Sequence, residues 1–375
     1  MPKTYDTLII GAGIAGASVA YALTQKNKKV LVLDKNGIAS GGSGAAGAFV
    51  SPKIGKGGML QSLTNEAFVY AQDFYLSVCP QYFHQTGVLR LPKDETDAQQ
   101  FDQYEKYNEN AYEKYTKEML QSLGIHTAFD GFYFPEAGDC DAKAVCAFLL
   151  EGIEVIQVEV AGLKQEEDGY WRVGDYRAKN VVLATGFESN LAELRYMGIK
   201  GTWGTRGDFV SDLALGVSMH QSMSVGANVG GIIKLGATHE KEVKESVPCQ
   251  EKQALGLKEK ASMLIDVADL ELKEVFCGMR AGSKDYFPLV GKVIDVSRML
   301  ESAPAIVRGA TAPLYYRENL YVCNGLGGRG FVFAPLMAKW LAEHIVEGKK
   351  VDTRVCADRL FFKWCRKSPE LLALR

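Results

Sequence analysis

Long uninterrupted apolar runs, metal-ligand clusters and an excess of charge of either sign are all missing from this sequence of 375 residues. Each absence removes a class of function. Lys and Arg number 43 against 45 Asp and Glu, for a net charge of -2 and a pI near 6.3. No global field attracts a polyanion, so a nucleic acid has to be met by a local basic patch. The five histidines form no ligand-spaced cluster, and the eight cysteines (Cys79, Cys140, Cys146, Cys249, Cys277, Cys323, Cys356, Cys365) include no CxxC pair. That pattern predicts reduced thiols, no metal and a cytoplasmic location. Only Thr7 to Leu23 mimics a membrane span, and glycines interrupt it without a basic leader of the usual kind. A buried strand followed by a helix accounts for it. Low-complexity linkers and tandem repeats are absent too, so the length predicts roughly two domains of about 150 residues forming one body. The 47% hydrophobic and 23% charged content is ordinary for a globular chain.

Glycine, in contrast, is patterned. The spacing GxGxxG occurs three times, at Gly11 to Gly16, Gly42 to Gly47 and Gly325 to Gly330. The pattern alone says little, so its surroundings decide. The first copy follows an apolar strand, Tyr5 to Ile10, and opens an alanine-rich stretch free of proline, which predicts a helix over Ile14 to Gln25. A second apolar strand, Val30 to Leu33, ends in Asp34. Gly11 permits the tight turn, Gly13 lets the backbone approach a pyrophosphate, Gly16 completes the fingerprint, and Ile14 and Ala15 begin the helix whose N-terminus faces it. Asp34 stands where an acceptor for a ribose 2′-hydroxyl belongs, which disfavours a 2′-phosphate and hence NADP. Lys35 follows it directly.

The second copy has no strand entering it and reads as a loop from Asn36 to Val50. Its small residues, with Ser43 and Gly44 at the centre, suit close backbone approach to the same pyrophosphate; a merely flexible loop is the alternative. The third copy does follow a strand, Leu320 to Asn324, and precedes a helix from about Phe331 to Val346. Too little chain remains after it for a second nucleotide fold. Its turn, Gly327, Gly328, Arg329, Gly330 and Phe331, offers free amides and the positive end of a helix to the electron-rich pyrimidine edge of a reduced flavin. Between them a strand from Asn180 ends in Ala184, Thr185 and Gly186, where the chain returns to the nucleotide, as does the strand ending at Val160. No mid-chain fingerprint for a second nucleotide exists, so reducing equivalents come from a bound substrate and not from NADH.

Elsewhere, Leu63 to Val78 carries apolar side chains at helical spacing, and Phe101, Tyr104, Asn108, Ala111, Tyr115 and Met119 form a second helical stripe. A short helix begins at Asp141, and Val155 to Val160, Tyr170 to Val173 and Val181 to Leu183 read as strands. From Gly201 to about Phe287 the sequence is strand-rich with one helix, Lys252 to Asp266. It predicts a sheet roofing the flavin.

The set GAGIAG, SGGSG, ATG, CGMRAGSKDYFPLVG (Cys277 to Gly291) and NGLGGRGFVFAP (Asn324 to Pro335) resembles the D-amino acid oxidase/glycine oxidase superfamily over nearly the whole chain. Within it, these last two segments and the basic ending DRLFFKWCRK are most similar to the FAD-dependent domain of the bacterial tRNA 5-methylaminomethyl-2-thiouridine biosynthesis proteins. The resemblance implies an α/β protein with an FAD-binding Rossmann-like domain of the glutathione-reductase type (residues 1–60, 138–200 and 288–375) and a strand-rich α+β substrate domain (61–137 and 201–287). It also implies noncovalent FAD and oxidation of an N-substituted glycine. The favoured substrate is 5-carboxymethylaminomethyl-uridine at the wobble position of tRNA, cleaved with release of glyoxylate. A small-molecule oxidase for glycine, sarcosine or a D-amino acid is the first rival, and a noncatalytic RNA-binding flavoprotein the second. Longer family members carry a methyltransferase domain; here no residues are left for one, so methylation would fall to a separate methyltransferase.

Arg280, in Gly278-Met279-Arg280, stands where glycine oxidases hold the substrate carboxylate, and a guanidinium has the bidentate geometry for it; an interdomain ion pair is the alternative. Lys234 is a lone charge in an apolar strand, which is costly unless paired or useful. Its GIIKLG setting is similar to the GLKLG of monomeric sarcosine oxidase, whose lysine activates oxygen. Cys277 lies near a covalent flavin attachment point of some sarcosine oxidases, but its Gly-Met-Arg sequel matches noncovalent members, so a buried thiol is expected. Lys349 to Arg375 holds eight Lys and Arg against three acids, with Phe361, Phe362 and Trp364 interleaved. That tail fits a tRNA backbone or a docked terminal helix equally well.

Overall fold

The computed structural model describes residues 3–187 and 190–374. Its first element is the expected nucleotide unit: β1 (Lys3–Ile10), α1 (Ile14–Thr24) and β2 (Val30–Asp34), with the two strands parallel. Leu8, Ile9, Leu31, Val32 and Leu33 are fully buried, as strands covered on both faces of a parallel sheet must be. The helix is small-sided and buried along most of its length, through Ala17, Val19, Ala20 and Leu23. It therefore lies close to the sheet and packs against a second helix, Gly330–Glu347. The parallel layer runs Glu154–Gln157, β2, β1, Tyr176–Leu183, Tyr316–Asn324, and is edged by antiparallel Leu289–Ile294.

The second sheet has eight strands in the order Glu271–Gly282, Lys200–Val210, Ile232–Gly236, Ser224–Val225, Ser218–His220, Val88–Arg90, Gly131–Phe134, Glu113–Tyr115. Its first two strands pair over eleven positions, from Lys200 opposite Gly282 to Val210 opposite Glu271. A small three-stranded sheet (Phe49–Val50, Gly138–Cys140, Phe83–His84) joins the two layers. The helix Met59–Val78 is fastened to the start of the helix Gly330–Glu347 by the buried Tyr75, whose hydroxyl donates to Phe331 O at 2.8 Å.

Two expectations need correction. The stripe from Phe101 to Met119 is not one helix: Glu95–Tyr104 is helical, Glu113–Tyr115 is a strand and Lys117–Ser122 a short helix. Tertiary pairing outweighs the spacing, because Glu113–Tyr115 completes the edge of the second sheet against Gly131–Phe134. The helix near Lys252 spans Glu251–Ala261 and stops short of Asp266. At the C-terminus, Phe361 and Cys365 of the helix Phe361–Lys367 are fully buried, and Phe361 and Trp364 pack edge-on against Tyr196. The interleaved aromatics thus belong to the core. Arg354 pairs with Asp352 and Glu66, and Arg359 with Asp285, so part of the basic tail is neutralised within the chain. Arg375 lies outside the described residues. Among the described residues no helix is long and apolar enough to cross a membrane, and no group of His, Cys, Asp or Glu could hold a metal ion.

Candidate active site

A cavity of about 1300 Å³ runs between the two layers. One end is walled by backbone. Gly11 takes φ +111°, and a β-carbon there would lie 2.3 Å from Ala184 O; one on Gly13 would lie 2.9 Å from Ser43 Oγ. The amides of this turn are organised by side chains. Asp34 accepts from Ala12 N at 2.8 Å with one carboxylate oxygen and from Asn36 N and Gly37 N at 2.9 and 3.0 Å with the other. Ser43 Oγ accepts from Ile14 N at 2.9 Å. Asp34 therefore braces the loop in addition to lining the cavity, with only part of its acceptor capacity left for a ribose hydroxyl. Ser43 caps the first turn of α1, and its own proton is free to be donated.

Gly11, Gly13, Ile14, Ala15, Asp34, Lys35, Ser43, Val160, Thr185, Gly186, Gly327, Gly328, Arg329, Gly330 and Phe331 all line this cavity, as do Lys234 and Arg280. Gly16 and Gly44 do not. A β-carbon on Gly16 would meet Gly11 O at 1.9 Å, and one on Gly44 would meet Ala39 O at 2.1 Å. Both glycines serve close packing behind the wall. Thr185 Oγ1 is buried without a partner, an orphaned hydroxyl that a dinucleotide can satisfy. The helix Gly330–Glu347 begins with neither a side-chain cap nor an acid in its first turn, which leaves donors facing the cavity. A volume above that of an ordinary small-ligand site, a glycine cradle without room for β-carbons and the uncapped start of the helix Gly330–Glu347 all fit FAD.

The other end is walled by side chains. Arg280, on the strand Glu271–Gly282, is half-buried, and its Nη2 donates to Thr238 O at 2.9 Å. No carboxylate pairs with it among the described residues, which removes the interdomain ion pair as its role. Loss of solvent lowers its pKa. Lys234 behaves differently: its Nζ sits 2.7 Å from Asp139 Oδ2 and 3.2 Å from Cys140 O. It is neither snorkelling nor unpaired. Arg206 is likewise neutralised by Asp208 at 2.8 Å, donates to Ala46 O and stacks on Phe276. Lys53, Arg90, His220 and Arg329 complete this end. Of these, sequence reading assigned only Arg329. Lys53, Arg90 and His220 stand in unremarkable local contexts; Arg90 and His220 meet in the second sheet, and Lys53 comes from the loop after Phe49–Val50.

The reduced-thiol expectation fails at one pair. Cys249 and Cys277 form a disulfide with Cα atoms 5.6 Å apart, and both residues line the cavity. Their separation of 28 residues carries no motif, and the pairing depends on the segment before the helix Glu251–Ala261 folding back onto the strand Glu271–Gly282. Cys277 is thus a bridged cysteine and not a buried free thiol. The other six are free, with Cys79, Cys140, Cys146, Cys323 and Cys365 buried.

The family model for FAD dependent oxidoreductase (DAO) matches residues 6–344. Among curated proteins, the chain is 25% identical over 385 residues to the tRNA 5-methylaminomethyl-2-thiouridine biosynthesis bifunctional protein MnmC of Shewanella amazonensis, covering 92% of this chain and 57% of that protein. It is 26% identical to the protein of the same name from Aeromonas hydrophila, covering 91% and 56%. The chain therefore spans a little over half the length of these relatives. Among solved structures, glycine oxidase from Geobacillus kaustophilus superposes with a TM-score of 0.78 at 18% identity, covering 93% of this chain and 96% of that one. Iminodiacetate oxidase from Chelativorans sp. BNC1 gives 0.75 at 18%, covering 92% and 96%. On the family match and the shared architecture, the chain belongs to the DAO family of FAD-dependent oxidoreductases, and FAD is its cofactor.

Proposed function

We propose that this enzyme oxidises the N-carboxymethyl group of a secondary amine, and that its substrate is 5-carboxymethylaminomethyl-uridine, with or without the 2-thio group, at the wobble position of tRNA. The observation that carries the reading is Arg280, a desolvated guanidinium in the cavity wall with a backbone carbonyl as its one hydrogen-bond partner among the described residues. It can take a substrate carboxylate through two parallel charge-assisted hydrogen bonds, each contributing about 1.5 to 3 kcal/mol. A β-carbon on Gly328 would lie 4.0 Å from Arg280 Cδ, so the anchored group is held beside the turn that opens the helix Gly330–Glu347. Bound FAD would supply the acceptor for a hydride, two electrons and one proton, taken from the methylene; the N–H proton is released to solvent, and water then splits the C=N product into a primary amine and glyoxylate. Lys234, held by Asp139, is the candidate for promoting reaction with oxygen.

The tRNA assignment draws support from the relatives named MnmC, whose printed name states tRNA modification. A small-molecule amino acid oxidase is the second reading, favoured by the similarity to glycine oxidase. Both readings place the protein in the cytoplasm. In a complete pathway a methyltransferase, on this or another chain, would act on the amine product. One anaerobic experiment separates the readings: the yellow protein is mixed with undermodified tRNA, and separately with glycine, sarcosine and D-alanine. Bleaching by tRNA, with the shortened side chain seen by mass spectrometry of the nucleosides, is the expected result. Bleaching by the free amino acids alone selects the second reading.

A further inference from the structure

Cations in the cavity fall into two kinds. Arg206 and Lys234 each face a carboxylate within 2.8 Å. Lys53, Arg90 and Arg329 face none among the described residues. Arg90 ends the strand Val88–Arg90, in register with His220. Arg329 turns away from its helix start to donate to Ser51 O at 3.3 Å, two residues before Lys53. Asn65 Oδ1 accepts from Lys53 N at 2.9 Å, which fixes the backbone there. His220 packs edge-on against Phe49, with ring centroids 4.5 Å apart, and its Nδ1 lies 2.6 Å from Ser224 Oγ.

The three cations crowd one another. Burial, then the charges of Arg329 and Arg90, lower Lys53; burial alone of the lowering causes brings Arg90 down to about 10; burial, then Arg90, brings Arg329 to about 10. His220 is held well below its usual value by burial and by the same two arginines, so it stays neutral near pH 7 and adds no compensating charge. The nearest acid acting on the group is Asp97, whose field reaches Arg90 but which accepts instead from Lys93 N. Three desolvated like charges without a counter-ion destabilise the fold unless a ligand supplies the anion. The dinucleotide pyrophosphate has its own place at Gly11, Gly13 and Ser43, on the parallel sheet; Arg90 belongs to the other sheet, and Lys53 and Arg329 meet around Ser51. Arg280 is not part of the group, since no charge of the three acts on it.

We propose that Lys53, Arg90 and Arg329 form a second anion subsite, so that the substrate carries an oxyanion, carboxylate or phosphate, on the arm of the amine opposite the carboxymethyl group. This rests on the proposed oxidation of an N-carboxymethyl amine with Arg280 as the first anchor. A nucleotide phosphate and a dicarboxylic amine both meet the requirement; a simple monoanionic amino acid leaves the subsite unfilled.

The test uses the FAD-loaded protein and three probes that differ only in the second arm: sarcosine (neutral), N-carboxymethyl-β-alanine (carboxylate) and N-carboxymethyl-aminoethyl phosphate. Anaerobic bleaching gives a Kd for each. One or both anionic probes should bind at least tenfold more tightly than sarcosine, roughly the value of one charge-assisted hydrogen bond, and the stronger of the two identifies the oxyanion. In Lys53→Gln and in Arg90→Gln the ratio of anionic to neutral Kd should collapse towards one. Separately, inorganic phosphate and malonate are titrated against the oxidised holoenzyme and followed by perturbation of the flavin spectrum, which requires no turnover. Anion binding lost in Arg90→Gln but kept in Arg280→Ala, with no bleaching by any amine, would retain the subsite and discard the oxidation reading. Bleaching with no preference for an anionic arm, or substitutions that weaken all probes equally, would overturn the subsite. Neither bleaching nor anion binding would overturn both.

Discussion

The two ends of the cavity are built on opposite plans. At the nucleotide end the wall is backbone, and side chains are excluded by contacts as close as the 2.3 Å that a β-carbon on Gly11 would make with Ala184 O. At the substrate end the wall is side chains, several of them cationic, delivered by strands far apart in the chain. The difference teaches where specificity resides. A backbone cradle recognises one dinucleotide wherever the fold occurs, whereas the charged wall differs with what must be oxidised.

Substitution at the backbone end should have the largest effect. Gly11→Ala forces a β-carbon into a carbonyl and a side chain into φ +111°. Strain on the order of 1 to 3 kcal/mol from the backbone alone, added to the clash, should leave a protein with at least a tenfold drop in bound flavin. Absorbance at the flavin band against protein concentration reads this directly, and a fully yellow variant would break the contrast between the two ends.

Next comes the ion pair at the substrate end. Asp139 is buried, its Oδ1 has no partner, and Lys234 is its counter-ion. Lys234→Met should therefore lower unfolding stability by about 3 to 5 kcal/mol, because an uncompensated buried carboxylate remains. The double variant Lys234→Met, Asp139→Asn should recover much of that loss in a denaturant titration. If reoxidation of the reduced flavin by oxygen stays slow in the recovered double variant, the lysine has a chemical role beyond its structural one.

A smaller effect attaches to His220. Its folded pKa lies below the 6.5 of a free imidazole. As pH falls through that value the unfolded chain takes up a proton that the folded chain refuses, so stability is fully present above about pH 6.5 and declines below it. Thermal midpoints at pH 7.5 and 5.5 should show that slope, and His220→Gln should flatten it in part.

The same contrast explains what could be read from the chain. The nucleotide turn was legible because its parts are consecutive: strand, glycines, helix, strand and Asp34 fall within one stretch whose spacing is set by the fold. Even there, the double duty of Asp34 as a brace for Ala12, Asn36 and Gly37 left no mark in spacing. Gly16 and Gly44 carried the right pattern, yet their close neighbours are backbone and not cavity. At the substrate end, Arg280 and Lys234 were visible through short motifs, but the partner of Lys234 lies 95 residues away. Lys53 and Arg90 were invisible because only the tertiary fold gathers them, Arg90 from a strand of the second sheet and Lys53 from the loop after Phe49–Val50. The Cys249 to Cys277 bridge was missed for a related reason, since a loop return determines it and no spacing rule does.

Anchoring of a substrate carboxylate by the cavity-facing Arg280 is tested most directly by the dependence of flavin reduction on that residue. With sarcosine and with N-carboxymethyl-β-alanine, Arg280→Ala should raise KM at least tenfold, the loss expected from one charge-assisted contact, while the protein remains fully loaded with FAD; Arg280→Lys should recover only part of it. An unchanged KM in the yellow Arg280→Ala protein would contradict the account.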